Sequence, residues 1–144
     1  MNTLLGSSHP APHRERYGRG ALAFGLFAAP LAWAFQLTAS YAVTGVTCNG
    51  ARYALDARTL HTALAAVDVM ALAVTVAAFV VAWLGWRATR EEAAGSAHHL
   101  LDAGEGRTRF LAVCGMMASA GFMLALIFAT VGIAVVPPCA GAGG

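Results

Sequence analysis

The chain has 144 residues, 58% hydrophobic and only 11% charged, with a mean hydropathy of +0.64 and a net charge of +2. A soluble domain carries about 25% charged residues, so this composition is that of a membrane protein. One unit of this length leaves no room for a separate soluble catalytic domain, although chemistry within a membrane stays possible.

Residues 1–20 form a polar leading segment with Arg14, Arg16 and Arg19. The first apolar stretch, 21–43, is long enough to cross a bilayer core of ~30 Å, which takes roughly 20 helical residues. Pro30 lies inside it and removes a backbone donor to Leu26, which is expected to bend the helix. A cleaved leader is the rival reading of residues 1–41, but its leading segment is about 20 residues long, Pro30 sits in its middle, and "LTASYA" is a weak cleavage site. The polar residues of this stretch, Trp33, Gln36, Thr38, Ser40 and Tyr41, crowd its second half.

A loop over 44–59 follows, in which Asp56 and Thr59 stand where the next helix needs an N-cap. The second apolar stretch, 60–86, carries His61, Asp68 and Thr75 at intervals of seven, on one helical stripe. Asp68 is the only carboxylate in any of the three stretches. An acid at that depth costs ~2.5–3.5 kcal/mol on insertion scales, so it is expected to face protein or water. Two readings stay open: a protonated Asp68 clamping two helices, or a proton or ligand role. His61 sits near the membrane boundary, and a bis-histidine haem would need a second histidine within the membrane, which the chain lacks. Trp83, Trp86 and Arg87 close the stretch as an interfacial anchor.

The 87–109 loop includes His98 and His99, which on a helix would point ~100° apart and chelate poorly. It ends in "GEGRTRF", where Glu105, Arg107 and Arg109 form a candidate interface motif for lipid headgroups or an acidic partner. Two arginines at a helix start oppose the helix dipole, and Asp102 and Glu105 offer a local offset. The third apolar stretch, 110–136, is 27 residues without a charge. Its Gly115/Ser119 and Gly121/Ala125/Ala129 spacings allow close helix approach. The tail, 137–144, begins with two prolines.

All nine basic residues are Arg: seven flank the first stretch or lie between the second and third, and two, Arg52 and Arg58, lie in 44–59. The positive-inside rule then predicts three transmembrane helices with a cytoplasmic N-terminus and an outside C-terminus. That topology accounts for the arginines and leaves no call for a nucleic-acid partner. It also puts Cys48 and Cys139 on the oxidising side, where a disulfide is expected, and Cys114 toward the reducing side as a free thiol. No CxxC spacing exists, so no zinc set is expected.

The runs "AAPLAWAFQLTASYA", "DAGEGRTRFLAVCGMMASAGFMLALIF" and "VVPPC" together resemble a family of small bacterial inner-membrane proteins whose genes often neighbour cytochrome c oxidase genes. The likeness extends from about Pro30 to Cys139, with Gly-Glu-Gly-Arg-Thr-Arg-Phe its most specific part. It implies an all-α, three-helix protein associated with a haem–copper oxidase system, and supplies no activity. The expectation is a non-catalytic accessory or assembly partner of that oxidase, working in the lipid bilayer without a cofactor of its own. The alternative is a proton-relay or haem/quinone site around Gln36, His61 and Asp68.

Overall fold

The computed structural model describes residues 19–49, 55–93, 105–137 and 139. These form three helices, α1 (Arg19–Cys48), α2 (Ala57–Ala93) and α3 (Glu105–Val135), with no strand among the described residues. All three are long and apolar enough to span a membrane, which makes the chain an all-α, multi-pass membrane protein.

α1 and α2 outrun their apolar stretches at both ends and α3 at its start, so the segments 44–59 and 87–109, expected as loops, are partly helical. Hydropathy marks what lipid accepts; the helix itself continues until something ends its hydrogen-bond ladder. At the end of α1, the backbone N–H of Asn49 and its side-chain amide both donate to the Gly45 carbonyl, at 3.3 and 2.8 Å. After α3, Val136 donates to Gly132 at 2.9 Å. Pro137 follows and cannot continue the ladder. Pro30 does not end α1, which runs through it.

Asp56 caps α2 as expected. Its carboxylate accepts from the Thr59 amide at 3.2 Å and from the Thr59 hydroxyl at 2.5 Å. The Thr59 hydroxyl, and then its amide, hold the Asp56 carboxyl below the ordinary value of 3.8. A depressed folded-state pKa means that the cap contributes above the ordinary carboxylate value and is lost as pH falls through the lowered one. The amide proton of Thr59 should therefore lose its downfield shift in acid. In Asp56→Asn, which can still cap, that titration should vanish; a Thr59 signal that titrates equally in both proteins would contradict the cap.

Buried positions recur at alternating steps of three and four. On α2, after Leu60, they run Leu64, Asp68, Ala71, Thr75, Ala78 and Ala82, and on α3 they include Ala112, Ser119 and Leu126. This 3.5-residue period is the seam of a left-handed helical bundle. Most of the buried side chains are small, so the backbones come close. A Cβ on Gly115 would lie 2.8 Å from the Gly25 carbonyl oxygen and 3.3 Å from the Ala82 Cβ. Of the expected small-residue spacings, Gly115/Ser119 lies in the seam, whereas Gly121 has nothing within 4 Å of where its Cβ would be.

The Gly25–Ala82–Gly115 contact sets the register. Moving from it in equal steps toward Cys48, Ala29, Ala78 and Ser119 share a level, all three fully buried. The Trp33–Phe122 ring contact, with centroids 5.4 Å apart, comes next, beside buried Thr75. Gln36, Ala71 and Leu126 follow, and then Ser40, Asp68 and Thr130. The Cys48–Cys139 disulfide closes that end of the bundle, with Cα atoms 5.5 Å apart, and Cys114 is free. Near the other end, the Arg87 guanidinium lies 4.9 Å from the Trp83 ring centre.

Candidate functional site

The half of the bundle nearer Gly25 is packed from glycine, alanine and one serine. The half nearer the disulfide carries the polar groups, because α2 turns its heptad stripe of His61, Asp68 and Thr75 toward the other two helices. Asp68 is 1% exposed and Thr75 fully buried, whereas His61, at the end of the bundle, is exposed.

Asp68 meets Thr130 of α3: the carboxyl Oδ2 and the hydroxyl Oγ1 are hydrogen-bonded. Thr130 Oγ1 also lies 2.9 Å from the Leu126 carbonyl oxygen. A hydroxyl has one proton, so it cannot donate to both at once. Thr130 donates to the Asp68 carboxyl, and the Leu126 carbonyl keeps its own helix partner, the backbone N–H of Thr130. Thr75 is satisfied within its own helix, donating to the Ala71 carbonyl at 2.9 Å. His61 Nε2 lies 3.1 Å from the Ile133 carbonyl oxygen. A carbonyl only accepts, so Nε2 carries the donated proton. Ile133 is in the last turn of α3, whose carbonyls have no partner within the helix, so His61 acts as a cap supplied by a neighbouring helix.

Among the described residues, four buried polar atoms have no partner: Gln36 Oε1, Ser40 Oγ, Asp68 Oδ1 and Ser119 Oγ. A site around Gln36, His61 and Asp68, the alternative drawn from the sequence, would need these side chains to meet. The bundle register instead brings Asp68 level with Ser40 and Thr130, and leaves Gln36 one turn, about 6 Å, deeper. No hydrogen bond joins Gln36 to Asp68. His61 lies two turns from Asp68 in the opposite direction, so the three residues form a graded polar seam and not one cluster. Thr130 was missed in the sequence, where it is one hydroxyl in a long apolar run; only the α2–α3 register reveals its role.

No family model, curated protein or solved structure matches this chain. Its chemistry is therefore read from its own residues. Glu105, Arg107 and Arg109 all fall in the first turns of α3; Arg109 is exposed, and the side chains of Glu105 and Arg107 lie outside the described residues, as do His98 and His99. The seam offers a carboxyl, a carboxamide and hydroxyls between helices, an arrangement suited to joining the helices and to holding a small polar guest.

Substituting the clamp should separate packing from titration. Hydrogen bonds between membrane helices average ~0.6 kcal/mol, so Asp68→Asn, whose carboxamide oxygen can accept from Thr130 as the carboxyl does, should unfold within about 1 kcal/mol of the parent. Asp68→Leu leaves Thr130 without that partner and should cost more. Detergent-titration unfolding checks both, and an Asn variant as unstable as the Leu variant would contradict a clamp that works without a charge.

Proposed function

We propose that this chain is a non-catalytic accessory or assembly partner of a respiratory haem–copper (cytochrome c) oxidase in the bacterial inner membrane, with its N-terminus in the cytoplasm and its C-terminus outside. The observation that carries the reading is unused helix surface. Only 17, 28 and 22% of the most apolar window of each span is buried within the bundle. Phe27, Leu31 and Phe35 on α1 and Met117, Leu124 and Phe128 on α3 all point outward. Such a surface is solvated by lipid or by the helices of a larger assembly. The partner named here rests on the resemblance in the sequence, a weaker warrant than a site; the seven-to-two distribution of arginines supports the orientation.

Purification from native membranes in mild detergent should recover this chain with oxidase subunits, and a clean deletion should lower oxidase content while other respiratory enzymes are unchanged. Normal oxidase content across oxygen tensions in the deletion would defeat the proposal. A second reading, a proton-relay or haem/quinone site of the chain's own, draws on the unpartnered Asp68 Oδ1 and Gln36 Oε1. A coloured protein, or a proton-linked activity abolished by a well-folded Asp68→Asn, would favour it over the accessory role.

A further inference from the structure

We propose that Gln36, Ser40 and Asp68 hold an ordered water molecule inside the bundle, a binding site that goes beyond the accessory reading and does not depend on it. Gln36 is 2% and Asp68 1% exposed, and each has one oxygen without a partner, as does Ser40. The three residues come from two facing helices and adjoining levels of the bundle. Both α1 residues lie within one turn of each other, and Asp68 lies across from Ser40.

The donor count favours water. Thr130 engages Asp68 Oδ2, so Oδ1 is the free acceptor of that carboxyl, and Gln36 Oε1 is a second acceptor. Ser40 brings a hydroxyl proton. One water donates twice and accepts once, which satisfies all three atoms, and buried waters typically make about three such bonds. Turning the Ser40 hydroxyl back onto its own helix would satisfy Ser40 alone and leave two buried acceptors unmet. Alanine at 71, on the level of Gln36, keeps the facing wall short. Ser119, two levels from Gln36 and three from Asp68, has its own unpartnered hydroxyl and is not part of the site.

The test is water-to-protein polarisation transfer by solid-state NMR on the full-length, isotope-labelled protein in phospholipid bilayers. The Asp68 carboxyl and Gln36 carboxamide carbons should gain water magnetisation several-fold faster than the Ala71 and Leu126 methyls at the same depth. Build-up as slow as those methyls overturns the site. In Gln36→Leu/Ser40→Ala, transfer to Asp68 should fall to the methyl level while the Trp33–Phe122 cross-peaks persist; unchanged transfer in that folded variant also overturns it. A shift of the Asp68 carbon on exchanging sodium for choline would show a cation in place of water. If the double variant fails to fold, the parent measurement still decides.

Discussion

Gly115→Leu is expected to push α1 from α3 and to destabilise the bundle far more than substitutions at Gly25 or Gly121. Even the first added carbon meets the Gly25 carbonyl oxygen at 2.8 Å and its carbonyl carbon at 3.2 Å. Both are backbone atoms in a helix and cannot rotate aside, so relief requires the helices to separate, and the Ala82 contact opens with them. Overpacking of this kind costs about 1–3 kcal/mol for a few methylenes, and leucine adds four carbons, so the upper end or beyond is expected. Gly25→Ala should be far milder, because its Cβ would meet Ala82 at 3.4 Å, an ordinary contact. Gly121→Ala should be neutral or stabilising by up to ~1 kcal/mol, since nothing lies within 4 Å and alanine is the better helix former. Unfolding in mixed micelles ranks the three; Gly115→Leu within 0.5 kcal/mol of the parent (about the scatter for surface changes) would refute the close crossing.

Removing the disulfide is expected to have the second largest effect. Cys48 and Cys139 are 91 residues apart, and for a loop of that size the chain-entropy model gives on the order of 4–5 kcal/mol. The bilayer already confines the unfolded chain, so the measured loss should fall well below that ceiling. It should also be local. Asp68–Thr130 and His61–Ile133 still join α2 to α3 without the bridge, whereas the end of α1 near Gly45 and Asn49 loses its covalent tie. Amide exchange should therefore accelerate first at the end of α1 in Cys48→Ser/Cys139→Ser. In the oxidised parent, alkylation after denaturation should label Cys114 alone, and reduction should add the other two. A free Cys48 thiol under non-reducing conditions would contradict the pairing.

Three apolar runs were legible as spanning helices because a bilayer admits few other structures, and their lengths are fixed by its thickness. The N-cap at Asp56 was legible for a similar reason: it depends on residues three apart along one chain. Helix ends were harder to read, since hydropathy falls off before the hydrogen-bond ladder does, and α1 continues to Cys48.

The polar seam divides along the same line. Heptad spacing on α2 already put His61, Asp68 and Thr75 on one stripe, and the cost of an intramembrane acid already turned Asp68 inward. Composition and periodicity therefore determined that this is a helical membrane protein with a buried carboxyl. Which groups that carboxyl meets was decided only in three dimensions. The close crossing at Gly25, Ala82 and Gly115 fixes how far each helix slides along its neighbours, and a shift of one turn would exchange one set of partners for another. That register brings Thr130 to Asp68 and leaves Gln36 a turn deeper, because it is set by backbone contact between residues 90 positions apart, which no local pattern in the chain encodes.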